Sequence, residues 1–130
     1  MKRSISIFLA ALLLVTSGVV AAQQNRSDMI AVAASDKTTS ASVGYQAGRS
    51  PFFLMFDKQG AFVEAVGNPY KDAGNAGIPA LDFLAGKGVK VLVAEGFGSQ
   101  IVEVMKSKGI RPLEFKGNAK DAVKRALELK

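Results

Sequence analysis

Past residue 28 the chain alternates short apolar runs with polar breaks marked by glycine. Met29 to Ala34 is an uninterrupted apolar run of strand length, the pattern of a buried strand. Ser35 to Ser42 is rich in Ser, Thr, Asp and Lys and reads as a loop, which Gly44 to Pro51 continues with two glycines and a terminal proline. Phe52 to Asp57 and Ala61 to Val66 are aromatic and apolar runs, and the Lys58-Gln59-Gly60 break between them predicts an antiparallel hairpin. Gly67 to Gly77 is again loop.

The period then changes. Ile78, Leu81, Leu84 and Ala85 recur at helical spacing, which predicts a helix over Ile78 to Ala85. Pro79 sits in its first turn, where the missing N–H costs nothing, and Gly86 and Gly88 end it. Val89 to Ala94 reads as a fourth strand, apolar enough to be covered on both faces. After Gly96-Phe97-Gly98, Ser99 is placed to cap a second helix that turns Ile101, Val104 and Met105 inward and stops at Gly109. Arg111 to Phe115 is a fifth strand, and Pro112 near its start favours a sheet edge. Asn118, with Asp121 three residues on, caps a third helix whose apolar stripe is Ala119, Ala122, Val123, Ala126 and Leu127. The order is βββαβαβα, an α/β domain with a five-stranded mixed sheet and helices packed on it, without internal repeat or linker.

This order has a consequence for function. Because the hairpin reverses the chain twice and each helix returns it, strands one, three, four and five all run the same way. The loops that follow them gather at one sheet edge, joined by Ser35–Pro51. Open α/β sheets bind ligands beyond the carboxyl ends of parallel strands, where strand order switches, here between strands one and four. The cleft is therefore expected from Ser35–Arg49, Asn68–Gly77 and Gly96–Gln100. Glycine permits close backbone approach, and helix N-termini attract anions. The candidate binding set is Ser35, Arg49, Gly74, Gly77, Gly96, Phe97, Gly98, Ser99 and Gln100, with Lys37 and Lys71 adding charge. Arg49 offers a planar bidentate fork for an anion. The blander account of these glycines is ordinary turn and cap chemistry.

The N-terminal part has a different character. Lys2-Arg3 precedes an apolar run, Ile5 to Val15, and Val20-Ala21-Ala22 supplies small residues at cleavage-site spacing. This is a secretory signal, with cleavage expected after Ala22, a flexible lead-in over 23–28 and a single domain over 29–130. Retention of 1–22 as an anchor is the alternative, since the run is almost long enough to span a bilayer. Nothing after Ala22 has that length and apolarity, so no membrane contact is expected once the signal is removed. Export to the periplasm follows from the cleaved reading.

Net charge is +6, from 17 basic and 11 acidic residues, and it falls slightly when Lys2 and Arg3 leave with the signal. The lysines are scattered rather than clustered on one face, which permits a small anionic ligand without pointing to nucleic acid. There is no cysteine and no histidine. That excludes disulfides, Cys/His zinc sites, thiolate-ligated clusters, and Ser-His-Asp or Cys-His catalysis. Met29, Met55 and Met105 fall at core positions and read as packing rather than as soft-metal ligands, so no protein metal ligand is assigned. A two-metal nuclease would need clustered carboxylates, but Asp57, Glu64, Glu95 and Glu114 scatter along the strands. Only Glu95 falls at the expected cleft, with Asp36 and Asp72 in neighbouring loops. No enzymatic activity is expected.

In these loops the chain resembles the dinitrogenase iron–molybdenum cofactor biosynthesis (NifX-type) family. The resemblance rests on an ordered set: Met29-Ile30-Ala31-Val32-Ala33, Gly48-Arg49-Ser50-Pro51-Phe52-Phe53, Asn68-Pro69, Ala76-Gly77-Ile78, Leu84-Ala85-Gly86-Lys87-Gly88-Val89, Gly96-Phe97-Gly98 and Lys108-Gly109-Ile110. It covers nearly all of residues 29–127. It implies a ribonuclease H-like fold and a role in binding, carrying or protecting an iron- or molybdenum-containing sulfide cluster or its precursor. Where the family often carries His-Phe-Gly-Arg, this chain has Gln46-Ala47-Gly48-Arg49, and no cysteine replaces the histidine. A cluster or oxyanion would then be held non-covalently, by amides and Arg49. The alternative is a protein-interaction module of the same fold that has lost its ligand.

Overall fold

A computed structural model describes residues 28–74 and 76–129. The expected signal over 1–22, and all of the lead-in but Asp28, lie outside the described residues. The elements are β1 (Met29–Ala34), β2 (Phe52–Phe56), β3 (Phe62–Gly67), α1 (Gly77–Gly86), β4 (Val89–Ala94), α2 (Ser99–Ser107), β5 (Arg111–Glu114) and α3 (Ala119–Glu128). A short 3-10 turn, Ala47–Arg49, interrupts the stretch expected to be plain loop.

One mixed sheet has the order β3-β2-β1-β4-β5. β1 pairs antiparallel with β2 (Ile30 opposite Phe56, Ala34 opposite Phe52) and parallel with β4 (Ile30 beside Val91, Val32 beside Val93). β4 pairs parallel with β5, and β2 antiparallel with β3. The central position of β1 explains its composition: every residue from Met29 to Ala34 is buried, so both faces must be apolar. Pro112 lies in the edge strand β5, where a missing N–H is tolerated.

The strand period of two divides the core. Met29, Ala31 and Ala33 join Phe53, Met55 and Leu92 beneath α1 (Ala80, Leu81, Leu84) and α2 (Met105). Ile30, Val32 and Ala34 join Leu54, Phe56 and Val93 beneath α3 (Ala119, Ala122, Val123, Ala126). The molecule is thus three layers: two helices, the sheet, one helix. Met29, Met55 and Met105 are all in the first of these clusters, which is the packing role expected of them. Among the described residues no helix is long and apolar enough to cross a membrane.

Several boundaries differ from the expected ones for identifiable reasons. β2 stops at Phe56 because Asp57 builds the hairpin turn. Its Oδ1 accepts from Gln59 N (2.9 Å) and Ala61 N (2.9 Å), while Gly60 turns at φ 90°, the left-handed region that glycine enters without strain. β3 and α1 are each displaced or extended by about one residue, the usual uncertainty at element ends. The larger correction concerns α2. Its N-cap is Gly98 (φ −71°, ψ 154°), without a side-chain cap, and Ser99 is the first helical residue. The cap on α3 is as expected: Asn118 Oδ1 accepts from Asp121 N at 2.9 Å.

Candidate functional site

Three loops meet where β1 and β4 diverge, and backbone hydrogen bonds fix how they meet. After β1 the chain doubles back, and Gly44 N donates to Ala33 O (2.7 Å). The same segment then runs beside the end of β4, where Glu95 N donates to Gly44 O (2.9 Å) and Gly96 N to Tyr45 O (3.1 Å). The 3-10 turn Ala47–Arg49 follows and lies against the start of α1. A Cβ on Gly48 would fall 2.6 Å from Gly77 Cα, so glycine is required for this backbone-to-backbone approach.

Asn68 ties the first loop to the second. It is buried, with Nδ2 donating to Gly48 O (2.8 Å) and Ser50 O (3.0 Å), and Oδ1 accepting from Tyr70 N (3.0 Å). The two carbonyls it holds flank Arg49. The Arg49 guanidinium in turn donates through Nη1 to Lys71 O (3.2 Å). The backbone on either side of Arg49 and one of its guanidinium nitrogens are therefore fixed.

These loops enclose an open cleft of about 550 Å³. The first loop contributes Tyr45 to Arg49, the second Gly74, Ala76 and Gly77, and the third Glu95 to Gly98 with Ile101 of α2. Of the sequence-predicted residues, the structure brings together Arg49, Gly74, Gly77, Gly96, Phe97 and Gly98. It does not bring in Ser35, Ser99 or Gln100. Ser35 begins a segment that folds onto the opposite face. Ala41 and Val43 are buried there with α3, and Ala119 N and Lys120 N donate to Ala41 O and Thr39 O. Ser99 and Gln100 are exposed, because the first turn of α2 directs Ile101 inward instead. Lys37 and Lys71 also miss the lining: Lys37 Nζ lies 5.5 Å from the Phe52 ring centroid, and Lys71 pairs with Asp72 at 2.8 Å.

Residues the sequence set missed are Tyr45, Gln46, Ala47, Gly48, Ala76, Glu95 and Ile101. Tyr45 had the clearest signal, an aromatic residue beside a loop glycine, and it is 75% exposed at the cleft. Glu95 places one carboxylate in the lining opposite in sign to Arg49. Among the described residues no group of three or more acids could hold a metal ion. Asp57 in particular is committed to the hairpin turn.

The cleft glycines separate into two kinds, although Gly67 and Gly86 outside the cleft are also without close neighbours. Gly77 has a packing role, since a Cβ there would meet the Ile101 side chain, as Gly48 meets Gly77. Gly74, Gly96 and Gly98 have none. Nothing lies within 4 Å of a Cβ on Gly74, and the nearest atoms to those on Gly96 and Gly98 are 3.6 and 3.8 Å away. None of the three has positive φ. Neither backbone conformation nor packing requires glycine there, and all three line the cleft, where a side chain would take up its space. The helix ends show the same contrast. α3 has a side-chain cap and Asp121 in its first turn, whereas α2, whose start abuts the cleft, has neither. The leading N–H groups and partial positive charge of α2 are left available to an anion.

The profile of the dinitrogenase iron-molybdenum cofactor family matches residues 29–129. The chain belongs to that family. Among solved structures it is similar to the apo form of the orange protein from Desulfovibrio gigas, at 27% identity and TM-score 0.71, covering 78% of this chain and 88% of that one. A NifB-assigned protein from Thermotoga, solved by NMR, is 26% identical with TM-score 0.65, over 78% and 88% of the two chains. A dinitrogenase-assigned protein from Methanocaldococcus jannaschii shares the fold at 10% identity and TM-score 0.54, over 78% and 89%. Among curated proteins, none matches the chain. The mixed sheet and its helices are thus the family's α/β architecture.

Proposed function

We propose that this protein is a non-enzymatic carrier or binding protein for an anionic metal–sulfur cluster or oxometallate related to the iron–molybdenum cofactor. The cargo sits in the cleft between β1 and β4. The observation that carries this reading is the trio Gly74, Gly96 and Gly98, three glycines with no structural need for glycine, set around a space next to the start of α1 and the uncapped start of α2. Family membership supplies the class of cargo.

The donor set fits a cargo held without coordination. The chain has no cysteine or histidine, and its buried methionines are in the core. What the cleft offers is backbone amide and guanidinium hydrogen bonding to sulfide or oxide, with Tyr45, Phe97 and Ile101 as apolar walls. Each helix end contributes about 0.3–1 kcal/mol toward an anion, and a charge-assisted bond from Arg49 about 1.5–3 kcal/mol. Those magnitudes describe a carrier that releases its load rather than a permanent holder. The binding residues in this reading are Arg49, Gly74, Gly77, Gly96, Phe97 and Gly98.

We also place the mature protein outside the cytoplasm, on the strength of the signal pattern over 1–22. Elemental analysis and an absorption spectrum of protein recovered from the exported fraction test both points. Molybdenum or iron co-purifying with visible absorption is expected. A metal-free, colourless protein recovered with a stoichiometric partner would favour the interaction-module reading instead. Glu95 is the observation on that side, since a carboxylate in the lining opposes an anion and suits a mixed-charge protein contact.

A further inference from the structure

A second concavity lies on the other face of the sheet and is independent of the cleft. It is a groove of about 300 Å³ between α3 and the β2–β3 hairpin. Phe56, Phe62, Val123 and Leu127 supply its apolar surface, and Lys120 and Lys124 line it as well. Phe56 and Phe62 meet edge to face, with centroids 5.5 Å apart. Phe62 and its neighbour Val63 are 46% and 45% exposed, large values for apolar residues in a strand.

The layer count explains the groove. One face of the sheet carries α1 and α2, while the other carries α3 alone, packed over β1 and β4. β2 is covered on this face, with Leu54 and Phe56 buried against α3, so the open ground is the outer strand β3 around Phe62. The groove is a strip of apolar surface between β3 and α3.

Charge decides what fills it. Lys120 and Lys124 are four residues apart and so on one side of α3, and no acidic residue lines the groove. Among the described residues neither lysine has a carboxylate partner. A second copy of this chain docking two-fold on the same face would oppose these lysines to their own counterparts. The chain's own N-terminal residues hold a single acid, Asp28, and so supply no acidic segment to meet these lysines. We infer that the groove beside α3 is a docking site for an acidic amphipathic helix of a partner protein, whose apolar stripe covers Phe62 and Leu127 and whose flanking carboxylates meet Lys120 and Lys124.

The test is an NMR titration of the full chain with two helical peptides of about 18 residues, enough to form a helix on docking. Both carry the same leucine stripe, one flanked by glutamates and the other by lysines. The glutamate peptide is expected to shift the amides of Gly60, Phe62, Lys120, Val123, Lys124 and Leu127. In the K120E/K124E variant its affinity should fall at least about tenfold, because opposed charges become like charges. Both lysines are exposed, so that variant should keep the wild-type melting temperature. Equal affinity for the two peptides, shifts confined to the cleft, no shift at all, or concentration-dependent shifts of the same amides without peptide would each overturn the inference.

Discussion

Arg49 is the one cation among the cleft-lining residues, and its place depends on residues far from it in sequence. Asn68 holds the carbonyls on both sides of it, and the Lys71 carbonyl takes one guanidinium N–H. Arg49→Ala should leave the fold intact, because the side chain is exposed, and weaken anion binding about 10- to 100-fold, the worth of one charge-assisted bond. Calorimetry alongside a melting curve separates the two effects. Asn68→Ala should behave differently, costing about 1–3 kcal/mol in denaturant unfolding by stranding buried polar groups. Arg49, Lys37 and Lys71 were all expected at the cleft, and of the three only Arg49 lines it. A loop lysine carries no local signal for where its charge ends up, and these two turn to Phe52 and Asp72. Glycine is equally silent about its reasons. Gly48→Ala drives a Cβ into the Gly77 backbone and should cost about 1–3 kcal/mol, whereas Gly96→Ala meets nothing closer than 3.6 Å and should be neutral to stability.

The strands were legible because their apolar runs are short, continuous and bounded by glycine or polar clusters, and the third helix because Asn118 and Asp121 announce its start. Less legible was what happens between β1 and β2. Ser35–Ser42 reads as one loop with the segment that follows, yet Ala41 and Val43 pull it onto α3, and only Tyr45–Arg49 reaches the cleft. The start of α2 was misread for a related reason. Ser99 is the better capping residue by type, but the extended conformation falls on Gly98, which leaves the helix end uncapped beside the cleft. That contrast between helices supports a prediction at this scale. Asn118→Ala removes a cap that α3 uses and should cost about 1 kcal/mol in thermal unfolding. Gly98→Asp supplies a cap that α2 lacks and should raise stability by a few tenths of a kcal/mol. The same substitution places a carboxylate at the cleft and should abolish anion binding, so stability and binding move in opposite directions.

At the scale of the whole molecule, the strand order β3-β2-β1-β4-β5 sets the position of the site, because the chain leaves β1 and β4 on diverging paths and a cleft opens between them. The direction of each connection was enough to place that opening from sequence; its contents depended on tertiary packing. One face of the sheet then serves the cleft, and the other carries the groove beside α3. The proposed export has its own test: N-terminal sequencing of the mature protein is expected to begin at Gln23, and a chain retaining Met1–Ala22 would favour the anchored alternative. Three unneeded glycines and Arg49 are proposed to form a non-covalent cradle for an anionic metal–sulfur species. Its most direct test is a calorimetric titration of the full chain with tetrathiomolybdate, compared with Gly98→Asp and Arg49→Ala. Saturable one-site binding to the wild type is expected, abolished in the first variant and weakened about 10- to 100-fold in the second, with both variants folded. Wild-type binding that is absent, or that persists unchanged in both variants, would contradict it.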